Sequence, residues 1–178
     1  KPDLLLVLGD RYEIFIAASA ATIGRIPIAH LQGGETTEGS YDEAFRHSIT
    51  KMSHLHFVAA EENRQRVIQL GESPDRVILV GGLGGDNILK MKLLDRNEIE
   101  KSLDIKFLKK NLLITFHPVT LENDTAAKQM EELLRALRNL QDTFLIFTMP
   151  NADTGGRILI QMIEEFVSRN QNAKAHTS

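Results

Sequence analysis

The feature that most constrains the fold is a repeated pairing of a short apolar run with a helix-like stretch. "DLLLVLGD" leads into Tyr12–Gly24. "IPIAHL" leads into a charged connection and then a helix from Asp42 to about Ser53. "LHFVAA" leads into "EENRQRVIQLG". The runs recur in "SPDRVILVGG", "FLKKNLLITFHP" and "TFLIFTMP", and the helices recur in "TAAKQMEELLRALRNL" and "TGGRILIQMIEEFVSRN". Short apolar runs with glycine or polar stops suit parallel strands buried on both faces. Their alternation with helices points to right-handed crossovers, so the expected class is α/β with parallel sheets. Phe45, Ile49 and Met52 fall on one face of the helix from Asp42, with Glu43 and His47 on another. Gly24 and Gly71 end their helices, and Asn123 or Asp124 is placed to cap the long one.

The length of 178 residues suits one large domain or two small ones. Four of the 12 glycines lie in "GGLGGDN", where a domain boundary or hinge is expected, dividing residues 1–82 from 83–178. A net charge of −3 provides no basic field for nucleic acid or an anionic membrane. No apolar run approaches the roughly 20 residues of a membrane span. Cysteine is absent, which excludes disulfides, thiolate metal sites and cysteine nucleophiles. That fits a reducing compartment, and a cytoplasmic location is expected. The six histidines form no metal signature, so no metal is expected. "GGLGGD" lacks both the Lys-Ser/Thr of a P-loop and the order of a dinucleotide fingerprint, and there is no nucleophile elbow. The chain opens on Lys1 with a strand almost at once, and its last helix runs into "NQNAKAHTS". A piece of a longer protein is expected.

Open parallel sheets bind ligands at the carboxyl ends of their strands. Gly9-Asp10-Arg11, the stretch His30 to Glu35, His117, and Asn151 with Asp153 all stand at such ends. Asp10 and Arg11 read as a local ion pair opening a helix, or Arg11 as an anion contact through its planar fork. Gly33-Gly34 reads as a tight turn or as a close backbone approach to a ligand. Glu35, Glu38, Asp42 and Glu43 read as a solvated acidic loop at a helix N-terminus or as a working carboxylate cluster. Asp42–Arg46 and Glu43–His47 lie one helical turn apart and read as surface pairs of small weight.

The ordered set "LGDR … HLQGGE … DEAFRH … FHPVT … PNADTG" resembles the hydrolysing UDP-N-acetylglucosamine 2-epimerases of sialic acid biosynthesis, with the legionaminic acid branch close by. The resemblance runs from Asp10 to about Gly156. It implies a glycosyltransferase-B-like fold in which two Rossmann-like halves enclose a nucleotide sugar. Residues 1–82 would be the later part of the first half, with the hinge and the opening of the second half in 83–178. The resemblance implies catalytic carboxylates at Asp10 and Asp42, a diphosphate contact at Arg11, and UDP contacts at His117 and Asn151, with His117 near the leaving diphosphate and counted as catalytic. One position departs from the pattern. Where many members carry glutamate two residues after the histidine of "HLQGGE", this chain has Gln32, so the role is assigned to Glu35. The implied reaction expels UDP from C1 as the C2 hydrogen leaves, then adds water on the opposite face to release N-acetylmannosamine. Carboxylates suit the proton steps, and arginine and histidine suit the developing diphosphate charge. No cofactor is implied, and the implied partners are a UDP-sugar and a second copy in a homodimer. Three alternatives stand beside this reading: the same reaction on a UDP-2,4-diacetamido-6-deoxy sugar, a glycosyltransferase of this fold, and a catalytically incomplete nucleotide-binding or dimerising module.

Overall fold

The computed structural model describes residues 1–119, 121–122, 125–151 and 155–177. The chain packs as two compact units, Lys1–Lys92 and Leu93–Ser178. In the first, β1 (Leu5–Leu8), α1 (Tyr12–Ile23), β2 (Ile28–Leu31), α2 (Asp42–Met52), β3 (Leu55–Val58), α3 (Glu61–Gln69), a 3-10 turn at Pro74–Arg76, β4 (Val77–Leu79) and α4 (Leu83–Lys90) follow in order. The four strands form one parallel sheet in the order β1-β2-β3-β4. The second unit runs α5 (Arg96–Leu103), β5 (Lys110–Ile114), α6 (Ala126–Arg138), β6 (Thr143–Thr148), α7 (Gly156–Arg169) and β7 (Ala173–His176). Its sheet is parallel in the order β5-β6-β7. The α/β class with parallel sheets is therefore as expected from the alternation.

Each unit has its own apolar core. In the first, Val7 and Ile28 pack with Ala18 and Ala21 of α1 and Ile49 of α2. The alanines keep α1 thin enough to lie close on the sheet. In the second, α6 supplies Met130, Leu134 and Leu137, and α7 supplies Leu159, Ile163 and Phe166, against Leu145 and Phe147 of β6. Both triplets are spaced four then three residues apart, the stripe of a helix lying on a sheet. Phe147 and Phe166 meet edge to face at 5.6 Å.

Four expectations need correction or qualification. The first strand is not buried on both faces in this chain: Val7 is 5% exposed, whereas Leu6 is 61% and Leu8 49% exposed. A sheet that grows in one direction by right-handed crossovers carries its helices on one face, which leaves alternate residues of the edge strand β1 uncovered. The glycine-rich stretch read as a hinge contains α4, with Gly82 as its N-cap. A last strand, β7, was not expected after α7; it pairs with β6 from Ala173 to His176. The cap assigned to Asn123 or Asp124 lies outside the described residues. Among the described residues no helix is long and apolar enough to cross a membrane.

Candidate functional site

The site grows from two loops at the carboxyl edge of the first sheet. β1 and β2 are parallel neighbours, with Leu8 opposite Leu31. The loop after β1 carries Gly9-Asp10-Arg11, and the loop after β2 carries residues 32–41. Both loops are held by one face of α2, where Arg46, Ile49 and Thr50 are buried.

Arg46 is 4% exposed, an unusual place for a guanidinium. It is paired on every side. Nη2 donates to the Asp10 carboxylate and to Thr37 Oγ1 at 2.8 Å. Nη1 donates to the Glu35 carbonyl at 2.9 Å and to Glu43 Oε2 at 3.0 Å. Glu43 also accepts from the Thr37 N–H at 2.7 Å and pairs with His47 Nε2 at 3.0 Å. Burial pushes the Glu43 carboxyl up, but the Thr37 N–H, His47 and Arg46 outweigh it and hold it below the ordinary value.

One turn further along α2, Thr50 holds the other end of the first loop through His30. The His30 ring is fully buried. Its Nε2 lies 2.9 Å from the Gly9 carbonyl, which can only accept, so Nε2 carries the proton. Nδ1 then accepts from the Thr50 hydroxyl at 3.3 Å. Burial pushes His30 down to about 4, against the opposing bond to Gly9. His56, fully buried in β3, moves the same way; burial is the largest cause, and Glu72 opposes it.

The His30 shift has a consequence for stability. Its native value of about 4 lies below the ordinary 6.5. The unfolded chain therefore binds the extra proton between those values, and the native state loses stability as pH falls through that window. The loss from His30 is on the order of 3 kcal/mol. The urea midpoint of the full-length protein is expected to fall between pH 6.5 and 4, and His30→Gln is expected to flatten that slope. An unchanged slope in the variant would count against this assignment.

The sequence candidates fall into two groups. Asp10 and the main chain of Glu35 are brought together on Arg46. Among the described residues the half-buried Glu35 carboxylate has no hydrogen-bond partner. Gln32 stands at positive φ (61°), and its N–H donates to the Phe57 carbonyl at 2.8 Å. Asp42 opens α2 and bonds Ser40, accepting from its hydroxyl at 3.0 Å. The expected Asp42–Arg46 surface pair is thus replaced by the buried Arg46 network, because the arginine faces inward with Ile49. The Glu43–His47 pair does form. Asp10 turns to Arg46, and Arg11 pairs with Glu13 at 3.3 Å.

His117 and Asn151 belong to the second unit. They follow β5 and β6 at the carboxyl edge of that unit's own sheet and are exposed. Gly156 opens α7 directly over the Asn151 main chain, where a Cβ would sit 2.3 Å from the carbonyl oxygen. Asp153 lies outside the described residues. A cavity of about 570 Å³ in this unit, lined by Ile105, Leu108, Phe144, Asn172 and Lys174, opens at the opposite, amino end of the sheet, away from both residues. Among the described residues no three His, Asp or Glu side chains gather as metal ligands.

Arg46, Thr37 and Thr50 were missed as site residues, and His30 was read only as the start of the strand-end stretch His30 to Glu35. One signal was available: Arg46 and Thr50 share a face with Ile49, and an inward-facing arginine on such a face requires a carboxylate from elsewhere in the chain.

The chain is 42% identical over 172 residues to the GDP/UDP-N,N'-diacetylbacillosamine 2-epimerase (hydrolyzing) of Campylobacter jejuni subsp. jejuni, covering 97% of this chain and 45% of that protein. It is 45% identical over 165 residues to the polysialic acid biosynthesis protein P7 of Escherichia coli, covering 92% and 42%. The UDP-N,N'-diacetylbacillosamine 2-epimerase (hydrolyzing) of Legionella pneumophila is 40% identical over 168 residues, covering 93% and 44%. The chain thus spans less than half the length of these curated relatives. The crystal structure of UDP-GlcNAc 2-epimerase from Neisseria meningitidis bound to UDP-GlcNAc superposes with a TM-score of 0.76 at 22% identity, over 99% of this chain and 49% of that one. At that identity the likeness shows the fold. The family model for UDP-N-acetylglucosamine 2-epimerase matches residues 1–178 from end to end. With the two parallel sheets and the ordered motifs at their carboxyl edges, this match makes the chain a member of the UDP-N-acetylglucosamine 2-epimerase family.

Proposed function

We propose that the full-length protein is a hydrolysing 2-epimerase that converts UDP-N-acetylglucosamine to N-acetylmannosamine and UDP. The observation that carries this reading is the Asp10 carboxylate held by buried Arg46 beside the turn that bears Glu35, with Asp42 at the start of the same helix. In the reaction a carboxylate takes the C2 proton, and the C1–O bond breaks with its electron pair going to the diphosphate. The 2-acetamidoglycal then gains hydroxide from water at C1 and a proton at C2 from the opposite face. Asp10 and Glu35 are assigned to the proton transfers, with Asp42 as a further carboxylate at the site. Arg11, His117 and Asn151 are assigned to UDP, where cationic and N–H groups stabilise the departing charge.

A second substrate has specific support. The Campylobacter and Legionella relatives, 42% and 40% identical, are both named for diacetylbacillosamine. The two donors share the C2 acetamido group on which the chemistry acts. The test incubates full-length protein with UDP-N-acetylglucosamine and with UDP-N,N'-diacetylbacillosamine separately, without an acceptor, and follows products by NMR. Free 2-epimerised N-acetylmannosamine from the first donor supports the main reading. Turnover of the second donor alone moves the assignment to that substrate. Sugar transfer that depends on an added acceptor would refute epimerisation.

A further inference from the structure

We propose that Arg46 is a positioning residue that sets Asp10 and the Glu35 turn relative to one another through a single buried guanidinium. The two candidate carboxylates lie on different loops, 25 positions apart in the chain. Neither loop is a regular element that fixes its own geometry. Arg46 reaches both. Its Nη2 joins the Asp10 carboxylate to the Thr37 hydroxyl, and its Nη1 joins the Glu35 carbonyl to Glu43. A planar fork with donors in fixed directions can hold four acceptors in one arrangement, whereas an ammonium on a flexible stem cannot. Because Arg46 sits on α2 one turn before Thr50, it is anchored to the helix that also holds His30 and, through it, the Gly9 carbonyl. The Gly9–Asp10 backbone and the Asp10 side chain are therefore held from consecutive turns of one helix.

Arg46 acts here through Asp10 and the Glu35 turn and does not itself touch the reacting atoms. The inference rests on the reading that Asp10 moves a proton, so its test must separate the two. The experiment is a double-mutant cycle in the full-length protein with Asp10→Asn, Arg46→Lys and the combination, reading kcat, KM, UDP affinity and thermal midpoint. Arg46→Lys is expected to lower kcat about 100-fold, the scale of a misplaced reacting group, with KM and UDP affinity within about threefold. In the Asp10→Asn background the same change is expected to remove less than about twofold more, because residues acting as a unit are not additive. Thr37→Val changes an exposed turn and removes only one bond of the fork. It is expected to lower kcat about fivefold, again only when Asp10 is present, and it carries the test if Arg46→Lys fails to fold. Losses that multiply across the cycle, or kcat unchanged in folded Arg46→Lys or in Thr37→Val, would overturn the inference. Near-normal turnover in Asp10→Asn would instead remove the proton-transfer reading on which it rests.

Discussion

Replacing Asp10 by asparagine in the full-length protein is expected to lower turnover by about 10²- to 10⁴-fold while leaving UDP affinity within about threefold. The amide is nearly isosteric, and its oxygen still accepts from Arg46, so the loop geometry of the Arg46 network survives. What is lost is the capacity to take or give a proton. Steady-state assays of UDP release, with calorimetric titration of UDP, separate the two effects. An asparagine variant with near-normal kcat would show that the proton work lies elsewhere. Glu35→Gln is the companion measurement. If Glu35 fills the role that the resemblance places at position 32, its loss of turnover should be of the same order. A Glu35→Gln enzyme with near-normal turnover would leave Asp10 and Asp42 as the carboxylates to divide the work.

Gly34→Ala is expected to destabilise the first unit by roughly 3–5 kcal/mol, combining left-handed backbone strain with a steric clash. Gly34 has φ +78°, and a Cβ there would lie 2.3 Å from the Asn63 carbonyl oxygen and 2.8 Å from Val67 Cγ2. Both contacts belong to α3, and the nearer one is backbone that cannot rotate away. The Gly34 carbonyl also accepts from Arg66 of the same helix, so a shift of the turn away from α3 stretches that bond as well. Gly33→Ala gives a contrast. Its Cβ would meet His30 Nδ1 at 3.0 Å and Thr50 Oγ1 at 3.1 Å, pressing on the bond between His30 and Thr50 without backbone strain. Urea midpoints should therefore fall much further for Gly34→Ala than for Gly33→Ala. Equal midpoints would show that the close approach of α3 to the turn contributes little.

The elements read well from sequence are those whose local pattern agrees with their packing. α1 has an apolar, alanine-rich body and a stop at Gly24, and the structure ends it at Ile23. α2 was expected from Asp42 to about Ser53 and runs from Asp42 to Met52. The misses have identifiable causes. Helical glycine costs about 1 kcal/mol relative to alanine, so "LGGDN" argues locally against the helix α4 that contains it. β7 is "AKAH", without a β-branched or aromatic residue, and it is a strand because β6 offers it a parallel edge. The site divides in the same way. Asp10, the stretch His30 to Glu35, His117 and Asn151 were legible as residues at strand ends. Arg46 was legible only as a helical neighbour of Asp42.

The order of apolar runs and helices was enough to establish parallel α/β architecture, because strand and helix periodicities are local and parallel strands need crossovers. The ordered motifs were enough to place the chain in its family. Two matters were left to tertiary structure. One is which side of β1 is covered, which depends on the direction in which the sheet grows and not on the apolar run itself. The other is the partner of Arg46, which lies 36 positions away on Asp10. A buried cation must find its counter-charge wherever the fold brings one within reach, and only the packing of α2 across β1 and β2 decides that it is Asp10.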